Sequence, residues 1–241
     1  MKFLGKNSGE SDNVVWMSNS DLMAGLMIIF LFIAVGFIRE KAPEVFGEQD
    51  FIVQYLNNLE ENRTKINEKI DKEFTEEEKL KWNMEIIYDE NIIRFNTPEI
   101  MFNQSSGEIK KSFKQIINQF FPRYVKILSE FKSLVREIRI EGHTSSEWGD
   151  LNKDDAFLRN LVLSQERTAS VIKESMKSLQ NVNLKEKQWA FARVTASGMS
   201  SRNLILDLDG KENQELSRRV EFKYLINTEG QIENIKKILE N

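Results

Sequence analysis

The stretch VREIRIEGHT, residues 135–144, reads as a strand, and the rest of the chain can be laid out around it. A polar loop rich in Asp and Asn follows, then a helix carrying Leu161, Val162, Val171, Ile172 and Met176. ARVTASGM (192–199) and RRVEFKYLI (218–226) read as two further strands. Upstream of Val135, a helix starting at Ser105 or Ser106 carries Ile109, Phe113, Ile116, Ile117 and Phe120, and Pro122 is expected to stop or kink it. Before that, Ile86 and Tyr88, then Ile92 and Arg94, flank Asp89-Glu90-Asn91 as a hairpin. Strands alternating with helices predict an α/β sandwich on one mixed sheet with helices on one face, closed by a small helix bearing Ile232, Ile235 and Leu239.

Further toward the N-terminus, Thr75-Glu76-Glu77-Glu78 has the spacing of a capping box and starts a short helix through Trp82. Phe51, Ile52, Tyr55, Leu56 and Leu59 share one helical face, which Ile66 and Ile70 continue more thinly. This connecting helix either packs on the folded domain or pairs two copies of the chain. Above it lies LMAGLMIIFLFIAVGFI, Leu22 to Ile38, 17 residues without a charge between Asp21 and Arg39. A span needs about 20 residues, and a start near Val14 supplies them and places Asp21 inside the membrane. Ala24 and Gly25 would let two such helices approach closely.

Three readings of this segment compete. As a signal peptide it has Lys2 and Lys6 ahead of the run and Ala34-Val35-Gly36 as a cleavage-like site, but Asp21 abuts the run and Phe37-Ile38 continue it, as in an uncleaved anchor. As a cap, Asp21 closes Ser18-Asn19-Ser20-Asp21 at a helix start. As an ion carrier, Asp21 is a carboxylate held in lipid, which costs about 2.5 to 3.5 kcal/mol at mid-membrane and usually marks an ion path. Lys2 and Lys6 on one flank balance Arg39 and Lys41 on the other, so charge does not set the orientation.

Composition narrows the function. With 16 Phe and 4 Trp the chain can bury a sizeable core, and 34 basic against 38 acidic side chains give no general pull on nucleic acid. There is no cysteine and His143 is the single histidine, so no disulfide framework, thiolate metal site or zinc centre is expected, His143 reads as a packed or hydrogen-bonded residue and not a ligand, and no cofactor is indicated. No nucleophile, base and orienter set and no phosphate loop appears, which argues against an enzyme.

Ile140-Glu141-Gly142-His143-Thr144, then Asn160 with Leu163-Ser164-Gln165-Glu166-Arg167, then Ser217-Arg218-Arg219-Val220-Glu221, resemble in order and context the OmpA-like peptidoglycan-binding domain, over roughly Ile86 to Asn227. The resemblance implies a site at Thr144, Ser145, Asn160, Arg167 and Arg219 that holds the diaminopimelate part of a cell-wall stem peptide. It also implies a periplasmic domain and a cytoplasmic N-terminus. That family usually has an acid after GHT where this chain has Ser145, so an acid of the longer loop, Glu147, Asp150, Asp154 or Asp155, is expected to meet the ligand's ammonium instead.

Trp16-Met17-Ser18-Asn19-Ser20-Asp21-Leu22-Met23 resembles the segment of ion-driven stator B subunits that bears the ion-carrying Asp. Taken with the connector and domain, the whole is similar to the B-subunit family of the Zorya anti-phage defence system. That resemblance implies a dimer of this chain inside a pentameric ring of multi-span A-type membrane subunits, anchored to peptidoglycan in the bacterial inner membrane. The expected organisation is a cytoplasmic tail at 1–13, a transmembrane helix at 14–38, a helical connector at 39–83 and the OmpA-like domain at 84–241. A flagellar-type stator B subunit and a passive membrane-anchored cell-wall tether are the alternatives.

Overall fold

The structure is a computed structural model that describes the backbone of residues 9–227 and, before Val53, only the side chains of Met23 and residues 26–37. The expected terminal helix with Ile232, Ile235 and Leu239, the side chains of Asp21, Phe51 and Ile52, and the start of the cytoplasmic tail lie outside the described residues. The elements in order are α1 (Gly9–Glu73), α2 (Glu76–Trp82), β1 (Met84–Ile87), β2 (Ile92–Phe95), α3 (Pro98–Met101) and α4 (Lys111–Glu130). Then come β3 (Val135–His143), α5 (Lys153–Ser178), α6 (Leu184–Phe191), β4 (Val194–Ser200), α7 (Gln214–Ser217) and β5 (Val220–Ile226).

The chain divides into two units, Met1–Leu59 and Glu60–Asn241. In the first, the apolar side chains described from Leu26 to Phe37 are all exposed. Among the described residues no helix is long and apolar enough to cross a membrane. In the second, the packed core takes in Ile66, Ile70, Phe74 and Trp82, so packing begins well before Met84. The end of α1 therefore packs on the domain, whereas Val53 and Leu56 are exposed. The Thr75 capping box is present, with Thr75 and Glu78 each accepting from the other's backbone N–H.

The sheet has the order β1-β2-β5-β3-β4, antiparallel except for the parallel pair β3 and β4, which is the mixed sheet expected. Strand alternation sends Ile138, Ile140, Val220, Phe222 and Tyr224 into the core and Glu137, Arg139, Glu141, Glu221 and Lys223 to the other face. The core is aromatic: Phe120 sits 5.0 Å from Phe222 and 5.1 Å from Phe95, ring centre to ring centre.

Two helix expectations need correction. First, α4 starts at Lys111 rather than Ser105 or Ser106, because Ile109 forms a bridge with Phe102 and the segment before it lies against α5. Second, of the two outcomes expected at Pro122, a stop or a kink, the stop does not occur, since α4 runs on to Glu130. An interior proline costs about 3 kcal/mol. Beyond it Tyr124, Val125 and Leu128 are fully buried, at about 1.5–3 kcal/mol each for the aliphatic pair, so tertiary burial outweighs the lost backbone bond. Val162, placed on the apolar face of its helix by the sequence reading, is 54% exposed.

Candidate functional site

A cleft of about 680 Å³ opens where β3 ends. The strand delivers Thr144 and Ser145 to it, and α5 delivers Asn160, Leu163 and Arg167 from one helical face. Gly142 explains how strand and helix come so close, since a Cβ there would lie 2.8 Å from Thr168 Cγ2 and 3.1 Å from the Ser164 carbonyl oxygen. Ser164 fastens α5 to the neighbouring β4 by accepting from the Ser200 backbone N–H at 3.0 Å. Asn152 caps α5 by accepting from the Asp155 N–H, and Asn160 donates to the Glu147 carbonyl at 3.2 Å, which ties the long loop to the helix.

Arg167 is the decisive group. Its Nε donates to the Ser106 carbonyl at 3.1 Å and its guanidinium lies 4.8 Å from the Phe102 ring centre, yet it forms no ion pair among the described residues. It is 8% exposed. Burial first, and the neighbouring Arg218 charge second, push the guanidinium down to about 10. A buried cation without an anion is costly, and a carboxylate entering the cleft would offset that cost. Thr144 adds a buried hydroxyl with no hydrogen-bond partner.

The structure brings together Thr144, Ser145, Asn160 and Arg167 but not Arg219. Arg219 is turned to the other side of the sheet, where its Nε donates to Glu221 at 2.6 Å and its Nη1 to the Asn203 and Ser217 carbonyls. Burial pushes the Glu221 carboxyl up, but the His143 contact and the Arg219 charge outweigh it and hold the group well below the usual carboxylate range. Arg218 lines the cleft instead, as does Lys110. The signal was present in the sequence: Val220 and Phe222 face the helices, so period two assigns Arg218 to their side and Arg219 to the other. Of the four loop acids, Glu147 lines the cleft and Asp150, Asp154 and Asp155 do not. The cleft thus offers two guanidiniums (Arg167, Arg218), one ammonium (Lys110), three hydroxyls (Ser105, Thr144, Ser145) and two carboxylates (Glu99, Glu147), a set suited to binding an amino-acid-like ligand with both charges.

This sheet and its helices form a fold that recurs in a solved protein. A solved structure described as a putative MotB-like protein from Desulfovibrio vulgaris shares the fold, with a TM-score of 0.51 at 18% identity over 71% of this chain and 98% of that one. No family model matches the sequence. The Zorya protein ZorB of Escherichia coli is 38% identical over 237 residues, covering 97% of this chain and 98% of the relative. The chain belongs to the ZorB family, which places it outside the enzymes.

Proposed function

We propose that the chain is the B-type subunit of an ion-driven inner-membrane stator that serves anti-phage defence in a Zorya system and holds to peptidoglycan through the cleft. The observation that carries the anchoring half is Arg167, buried in the cleft with no carboxylate partner. Residues 14–38 span the membrane in this reading, 1–13 face the cytoplasm, and the connector at 39–83 leads to the periplasmic unit, whose sheet-bearing part is 84–241. The exposure of every described apolar side chain from Leu26 to Phe37 supports a lipid-covered helix. Arg167 and Arg218 meet a stem-peptide carboxylate, Thr144, Ser145 and Asn160 shape the cleft, and Glu147 meets the ammonium.

Asp21 is the ion carrier, taking up a proton on one side and releasing it on the other as an A-type pentamer turns around a dimer of this chain. Each proton moved across 100 mV supplies about 2.3 kcal/mol. Asp21→Asn keeps size and capping capacity but removes the titrating group. The variant, expressed with its native membrane partners, is expected to insert and assemble normally and to lose phage protection. Full protection would leave the chain as a passive tether.

A further inference from the structure

We propose that Glu141, His143 and Glu221, on the sheet face turned away from the cleft, form a binding site for a divalent cation of the zinc class. The strand register sets up the geometry. Glu141 of β3 stands directly opposite Glu221 of β5, both on the same face, so the two carboxylates share one spot. Both are buried, at 7% and 3% exposed.

His143 reaches the same spot from two residues along β3. Its Nε2 lies 3.6 Å from Glu141 Oε2 and 3.4 Å from Glu221 Oε2, and its side chain is 1% exposed. Both ring nitrogens are buried with no hydrogen-bond partner. Nearby arginines engage the other carboxylate oxygens: Arg219 and Arg94 donate to Glu221 Oε1 at 2.6 and 2.8 Å, and Arg139 lies 3.8 Å from Glu141 Oε1. They fix the carboxylates in place and leave the two Oε2 atoms and the imidazole facing one another.

The spacing suits a small tetrahedral ion. Ligand atoms about 2.0–2.1 Å from zinc stand about 3.4 Å apart, near the two His143 distances. One ligand atom from each of the three residues lies within 4.8 Å of the others, so side-chain rotation can close the shell, with water as the fourth ligand. Glu141 is the most exposed of the three side chains, at 10%.

Because His143 is the only histidine, untagged full-length protein labelled with [15N]histidine gives one set of ring-nitrogen signals. After chelator treatment, zinc chloride is expected to move the His143 Nε2 signal to its metal-bound position at one equivalent per chain, and Glu141→Gln should abolish that response. Cobalt(II) added to the wild type should give the visible absorption of a four-coordinate site, a reading independent of whether any variant folds. No shift with a tenfold excess of zinc, no cobalt spectrum, or a response unchanged in Glu141→Gln would each overturn the site. So would a signal that is already that of an imidazolium at neutral pH and stays so, since a proton would then be the compensating cation.

Discussion

Arg167 and Arg219 are buried to nearly the same degree, 8% and 5% exposed, on opposite sides of one sheet. Arg219 meets a carboxylate and two backbone carbonyls, whereas Arg167 meets one carbonyl and the face of a phenyl ring. Burial therefore does not separate a structural arginine from a binding one; the partners do. A charge neutralised within the chain serves the fold, and one left unneutralised keeps its binding energy for a ligand. Sequence motifs treat the two residues alike.

This contrast predicts opposite responses to the same change. Arg219→Met leaves Glu221 with a partner fewer and two carbonyls unpaired, and should lower unfolding free energy by about 3 kcal/mol, read from urea midpoints. Gly198→Ala comes next, at about 1–3 kcal/mol, since its Cβ would sit 2.5 Å from the Gln165 backbone nitrogen and push α5 and its Arg167 away from the sheet. Arg167→Met removes an unpaired buried charge and should leave stability within about 1 kcal/mol of wild type, or raise it. Unfolding midpoints of the two methionine variants that fall together would break the comparison.

The smallest effect concerns Asp71, whose carboxyl Lys79 and Tyr88 hold below its ordinary value by hydrogen bonds of 2.6 and 2.8 Å. A lowered carboxyl stabilises the fold at pH above its unfolded value of about 4, and that contribution is lost as pH falls through the lowered one. Asp71→Asn should flatten the acid side of a plot of Tm against pH while changing Tm at pH 7 by little. A curve that keeps the wild-type acid slope would count against this ion pair.

The strands were legible because alternation is a local property, and VREIRIEGHT, ARVTASGM and RRVEFKYLI each lie on the strand expected. The errors came where distant parts of the chain intervene. Ile109 fits a helical period but is taken by Phe102, and Pro122 is overridden by the core beneath it. The short α6 was missed, its 8 residues being too few for a periodic signal. At the site, Thr144, Asn160 and Arg167 were readable from motif order, while the exchange of Arg219 for Arg218 needed the alternation to be carried back from β5. The Glu141, His143 and Glu221 group was not legible, because it joins two strands far apart in sequence by a register no local pattern specifies.

The most direct test is co-sedimentation of full-length protein in detergent with isolated peptidoglycan at low salt, comparing wild type with Arg167→Met. Wild type is expected to be retained, and Arg167→Met to lose at least about tenfold in affinity, as when a charge-assisted contact disappears, with no fall in its urea midpoint. Ser145→Asp should strengthen retention by adding an acid for the ammonium. Equal retention of Arg167→Met and wild type, or no retention of wild type at all, would contradict the claim that the unneutralised arginine of the cleft is the cell-wall anchor.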